Sequence, residues 1–181
     1  MKIKMPHRLC ALFCVFLISG LDATAALNAY FKADLISGDG TRKGFENYTE
    51  INGYNHEVSS PFDPQTGLPT GKRQHRPFKI IKELSRSSID FHNVWVRGQT
   101  LKGGELKLYR LGSTGVEVNY YTYRFTGIRI VSIRDWMANN NDSAVANLPH
   151  MQEISFTYDT IEWDFPSGGV TATDSWAPAN P

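Results

Sequence analysis

Beyond residue 14 this chain has no cysteine, since Cys10 and Cys14 are the only two it carries. Without thiols the rest of the chain can form neither a disulfide nor a thiolate metal centre. Histidines at metal-ligand spacing are also missing. His56, His75, His92 and His150 each stand alone, and no His-Glu-x-x-His occurs. There is no Gly-x-Ser-x-Gly turn to present a nucleophile. Gly38, Gly40 and Gly44 have the wrong spacing for either phosphate-binding loop, and no helix is expected after them. Asp34 and Asp39 lack the alternating oxygen ligands of a calcium loop. Glu153 and Glu162 could meet in space as a catalytic carboxylate pair, but spacing along the chain does not fix their separation. The inventory points to a protein that is not an enzyme and that uses no cofactor and no metal.

An excess of charge of one sign is lacking too. The whole chain carries 19 basic and 18 acidic residues. Setting aside Lys2, Lys4, Arg8 and Asp22 leaves 16 against 17, a net charge of −1. Nucleic-acid binding favours a basic domain, so no nucleic acid is expected. Lys72, Arg73 and Arg76 accordingly read as a solvated strand entrance, and a near-neutral mixed surface suits contact with other proteins.

Long apolar runs are scarce. The one example, Leu9 to Leu21, is broken by Ser19 and Gly20. It is shorter than the ~20 residues a spanning helix needs, so no stable membrane span is expected. Lys2, Lys4 and Arg8 precede it, and the small-x-small triplet Ala23-Thr24-Ala25 follows. Met1 to Ala25 therefore has the layout of a secretory leader. Removing it leaves 156 of the 181 residues, enough for one domain of the usual ~100–150 residues with its own core.

What remains is β-rich. Ala29 to Ile36 alternates, with Phe31, Ala33 and Leu35 on the dry side and Tyr30, Lys32 and Asp34 on the wetter one. Phe45 to Val58 holds two short extended pieces around Gly53, and Ser59 to Lys72 is a long loop rich in proline and glycine. Phe78 to Leu84 is the central strand, with Phe78, Ile80 and Leu84 facing one way. Ser87 or Ser88 is expected to cap a helix over about Ile89 to Arg97. Phe91, Val94 and Trp95 would form its buried stripe and Gly98 its stop. Glu105 to Leu111 and Val116 to Ile133 read as long strands joined by Gly112-Ser113-Thr114-Gly115. In the second of these the apolar phase slips repeatedly, which predicts bulges and a pivot at Gly127. Asp135 to Pro149 reads as a polar loop. A last strand pair follows, and the tail from Pro166 is expected to be flexible.

Four stretches in order resemble a known family. The first is Thr70-Gly71-x-Arg73-x-His75, Pro77-Phe78, and the strand ending Lys82-Glu83-Leu84 before the Ser87-Ser88 helix start. The second is Gly98-Gln99-Thr100-Leu101-Lys102 leading to Glu105 to Arg110. The third is Glu153 to Tyr158 running into Ile161-Glu162-Trp163, and the fourth is the tail with Gly169, Thr171 and Asp174-Ser175-Trp176. Together they resemble the haemolysin-coregulated proteins (Hcp), which form the tube of the bacterial type VI secretion system, in their enterobacterial form.

The resemblance implies an antiparallel β-barrel or two-sheet sandwich with one short helix, spanning residues 26–165, with residues 166–181 as tail. It implies a homo-oligomer, a six-copy ring that stacks into a conduit. It further implies a spike protein, a contractile sheath and effector proteins as partners, and secretion from the cell. Pro61, Asp63, Pro64, Thr66, Gly67 and Leu68 lie in the loop that resembles the family's ring-stacking contact. The leader departs from this pattern, because such proteins assemble in the cytoplasm and leave through the secretion machine. The alternative is an Hcp-like binding module exported through the periplasm without tube assembly.

Overall fold

The computed structural model describes residues 27–176. The leader and both cysteines therefore lie outside the described residues. Eleven strands and one α-helix follow in order. They are β1 (Ala29–Ala33), β2 (Thr49–Ile51), β3 (Gly53–Asn55), β4 (Val58–Ser59), β5 (Gln74–His75) and β6 (Phe78–Glu83). Then come α1 (Arg86–Val96), β7 (Leu101–Leu111), β8 (Glu117–Trp136), β9 (Met151–Thr157), β10 (Thr160–Phe165) and β11 (Val170–Ser175).

The strand pairings given for the sheets are all antiparallel, and the main path runs β2-β1-β7-β8-β9-β6-β3. The path is open, yet its two ends are consecutive in the chain, with only Asn52 between β2 and β3. The Asn52 N–H donates to the Ile81 carbonyl at 2.8 Å and holds that corner. A mainly antiparallel β fold wrapped round on itself, with a single α-helix among the described residues, is thus what the strand pattern led one to expect.

The core forms where the wrapped sheet faces inward. Phe31, Phe78, Ile80, Leu101, Leu106, Phe125, Ile154, Phe156 and Ile161 are all at most 2% exposed. Phe78 is the hub. Its ring lies 4.9–5.9 Å, centroid to centroid, from those of Phe125, Tyr123, Phe156 and Tyr54, and 5.1 Å from His56. Helix α1 lays Phe91 and Val94 over this core, and the Phe91 and Phe31 rings sit 6.2 Å apart.

The 20-residue β8 serves both halves of the sheet. Its first half pairs with β7 and β10, its second with β9, with register shifts at Leu108/Tyr109 and at Ile130/Ser132. Gly127 is the predicted pivot, at φ +61. The left-handed backbone favours glycine there, and a β-carbon would in addition have to push the exposed Asp159 carboxylate aside. Gly127→Ala should therefore lower stability by about 1–3 kcal/mol, read as a shifted urea midpoint with an unchanged slope.

Several expectations are corrected. β1 ends at Ala33, because Leu35 turns to φ +64 and stands 59% exposed, outside the dry face assigned to it. Tyr30, assigned to the wetter face, is buried instead, with Phe45 stacked on it at 4.1 Å. The helix starts earlier than expected, with Ser85 as its N-cap, while Ser87 and Ser88 are buried in its first turn. Trp95 is 46% exposed, since only Phe91 and Val94 point into the sheet. Leu84 lies beyond the end of β6 and is exposed, and Lys82 takes the inward position. Within the tail, residues 170–175 form a strand. After a 3-10 turn at Pro166–Gly168, β11 pairs with β10 along its whole length, so its β-favouring Val170-Thr171-Ala172-Thr173 prevails over the Gly/Ser flanks.

Candidate functional site

The long Ser59–Lys72 loop is a folded hairpin arm. β4 and β5 form its root as a separate two-stranded ladder, pairing Val58 with His75 and Ser59 with Gln74. Further out, the Thr70 N–H donates to the Pro61 carbonyl at 2.9 Å, and Phe62 bridges to Pro69. At the tip, the Asp63 N–H donates to Leu68 O at 2.9 Å and the Gly67 N–H donates to Asp63 O at 2.8 Å. The Asp63 carboxylate accepts from the Gln65 N–H at 2.9 Å and from the Thr66 hydroxyl at 3.1 Å. These bonds hold its pKa below the usual carboxylate range, the Gln65 N–H first. Gly67, at φ +70, closes the turn.

All six residues singled out in the sequence thus share one structured tip. It leaves Phe62 and Leu68 62% and 65% exposed. The ordered arm thus offers two large apolar side chains to solvent.

The arm root is tied to the barrel by a polar chain through its centre. His75 Nδ1 lies 2.8 Å and His56 Nε2 3.0 Å from the buried Tyr158 hydroxyl. His75 Nε2 faces Asp174 Oδ2 of β11 at 3.3 Å, off the ideal hydrogen-bond line. Arg73 clamps the same carboxylate with two bonds of 2.8 and 2.9 Å. Burial works to raise the Asp174 pKa, but the guanidinium and the Ser175 N–H outweigh it and hold the group low. Burial, and after it the charge of facing His75, push His56 down to about 4. Below its unfolded value of 6.5, His56 resists charging. Its contribution to stability is complete above pH 6.5 and is lost as pH falls through about 4.

The remaining candidates are tied into ion pairs. Glu153 is held by Lys79 at 2.8 Å and Glu162 by Arg124 at 2.5 Å. His92 contacts Asp135 at 3.2 Å on the surface. Among the described residues no group of three or more His, Cys, Asp or Glu is arranged to hold a metal ion.

Lys82 was missed by the sequence reading. It is 1% exposed and donates to the Glu83 carbonyl, to Ser85 Oγ at 2.8 Å and to Ser88 Oγ at 3.0 Å. Three acceptors use all three of its protons, so it staples the helix start, and burial holds its pKa below the usual lysine value. Lys82→Met removes these bonds but leaves Ser88 Oγ its bond from the Ser85 N–H and Ser85 Oγ its contact with Ser87, so it should cost only about 1 kcal/mol, read as a shifted urea midpoint.

A family model described as "Type VI secretion system effector, Hcp" matches residues 30–165. The chain belongs to the Hcp family. A curated relative, the "Major exported protein" of Pseudomonas aeruginosa, is 34% identical over 139 residues, which cover 77% of this chain and 81% of the relative. A solved structure described as Hcp protein superposes with a TM-score of 0.78, covering 85% of this chain and all of the other, at 23% identity, a likeness of fold. The Hcp1 structure from E. coli EAEC 042 gives a TM-score of 0.71 at 27% identity, covering 83% of this chain and 98% of that one.

Within this Hcp-family chain a second surface stands out. Across the outer face of five strands, register places Lys32, Glu105, Arg124, Glu162 and Thr173 side by side. They line a groove of about 580 Å³. The charges alternate in sign across it, and opposite charges directly across strands stabilise one another. Alternation across strands is set by pairing order, and no run of sequence displays it.

Proposed function

We propose that this chain is the structural tube subunit of a type VI secretion apparatus, in which copies close into a six-membered ring and rings stack through the hairpin arm. Membership of the Hcp family supports the role, and the ordered arm with Phe62 and Leu68 exposed is the observation that carries it. Burying two such side chains at a centre of contact supplies several kcal/mol of association. Ring closure is a general way for a β domain to cover its strand edges. The groove with its internally balanced charges selects strongly for neither sign, which suits a wall past which varied effector proteins move. A spike protein at the tip and a contractile sheath outside are the further partners this reading requires, and secretion from the cell is its outcome.

The alternative, an exported binding module, rests on the leader. Comparing the full chain with one lacking Met1 to Ala25 separates the two. The tube reading expects the shortened chain to form rings and to appear outside only in cells with the contractile machinery. Monomers whose export needs the leader would overturn it.

A further inference from the structure

We propose that the tip of the hairpin arm of one copy seats in the tyrosine-lined pocket between β2, β3, β7 and β8 of a second copy. The inference rests on the arm being the stacking contact, and it names the surface that receives it.

The pocket follows from two breaks in the sheet. Between Leu108 and Tyr109 the β7–β8 register slips, and Tyr120 is left without a partner across the ladder. A bulge of this kind re-aims a side chain. On the other side the chain passes from β2 to β3 through Asn52, and these two ends of the open path are joined by no ladder of their own. The space between holds about 340 Å³. Leu27, Ala29, Ile51, Tyr54, Tyr109 and Tyr120 are among the residues that line it, and none of the lining residues is charged. Leu27 and Tyr54 are 71% and 40% exposed. A cavity of ~150 Å³ accepts a benzene ring, so this one has room for a phenyl ring and a branched aliphatic group together. Tyrosines supply large contact area at low entropic cost.

The arm tip matches the pocket in shape. Phe62 bridges to Pro69, and the Asp63 N–H donates to the Leu68 carbonyl. Successive rungs point to opposite faces. Phe62 and Pro69 therefore share one face, and Asp63 and Leu68 the other. The tip is a wedge with an apolar group on each side, and a pocket with two walls takes a wedge.

The match extends to charge. Asp63 is the single charged residue between Pro61 and Thr70. Its carboxylate accepts from the Gln65 N–H and the Thr66 hydroxyl, and it has no basic partner among the described residues. Arg110 lies over the ring of Tyr120, 5.0 Å from its centre, and has no acidic partner among the described residues. The tip thus brings an unpaired carboxylate and the pocket an unpaired guanidinium, which is the complementarity that fixes register between two surfaces.

A copy does not fill its own pocket, since its Phe62 and Leu68 stand exposed. Arg73 ties the arm to Asp174. Strand register carries that row through Ile161, Phe125 and Gly104 to Ala33, where β1 ends. The pocket opens at Ala29, where β1 begins, about 13 Å away along the strand. A contact between two different surfaces of the same chain is heterologous, and one that does not close on itself repeats without limit, as a growing stack requires.

Sedimentation of the full-length chain across a range of protein concentration tests this through a double-mutant cycle. Arg110→Asp sets two like charges together and should weaken stacking about 10-fold or more. In an Asp63→Asn background, which keeps an acceptor for the Gln65 N–H, the same change should weaken it by less than about 3-fold. Arg110 is exposed, so both variants should unfold at the wild-type urea midpoint. No loss from Arg110→Asp, or an equal loss in the two backgrounds, would overturn the docking, whatever fills the pocket instead, the residues before Leu27 included. The two readings fail separately. If Phe62→Ser with Leu68→Ser abolishes stacking while Arg110→Asp leaves it intact, the arm remains the contact and this pocket is not its receptor. If that arm variant stacks like the wild type, or the chain stays a single copy throughout, the arm reading falls and the docking falls with it.

Discussion

Phe78→Ala is expected to destabilise the fold by about 3–5 kcal/mol, a large part of the 5–15 kcal/mol that holds a typical domain together. The side chain is fully buried and touches rings from β3, β8 and β9, as well as His56 at the arm root. These partners belong to strands locked in different ladders, so they cannot all close on the void. Phe62→Ala is the matched control. It removes the same atoms from an exposed site and should shift stability by less than about 0.5 kcal/mol. Urea unfolding of the two variants side by side decides the matter. Similar midpoints would mean that the aromatic hub is not the core.

Phe62→Ser combined with Leu68→Ser should give the opposite pattern. Both side chains lie on the arm tip, and their backbone bonds to Asp63 and across to Pro69 do not depend on them. Thermal unfolding should be unchanged. Ring-to-ring association should weaken at least about 30-fold, the loss of one hot spot of about 2 kcal/mol, seen in sedimentation as rings that no longer stack. Stacking at wild-type concentration by this variant would remove the arm tip from the contact.

Acid should act separately from both. Titration of His56 alone removes roughly 2–3 kcal/mol of stability between pH 6.5 and about 4. Unfolding followed in that window should show His56→Gln with a shallower pH dependence than the wild type.

Much of this fold was legible because local signals agreed with tertiary demands. Alternation placed Phe78 and Ile80 inward, Gly98 stopped the helix, and the slipping apolar phase after Val116 marked real bulges around Gly127. Proline and glycine along Ser59 to Lys72 marked a long loop, whereas the choice of Pro61 to Leu68 within it came from the resemblance to the family. Misreadings arose where long-range pairing decided. Period-2 alternation does put residue 82 inside, but a lysine there is only tolerable with Ser85 and Ser88 brought within reach of its ammonium. β11 has a tail-like composition and becomes a strand because β10 supplies a full ladder. His56, His75 and Tyr158 lie up to 102 residues apart, and only the wrapping of the sheet brings them to one point.

The most direct test is the mass in solution of the chain lacking Met1 to Ala25, measured across a wide range of protein concentration. A ring mass at low concentration, growing in whole-ring steps as concentration rises, is the predicted result. A single-copy mass throughout, in the presence of an intact arm, would contradict it.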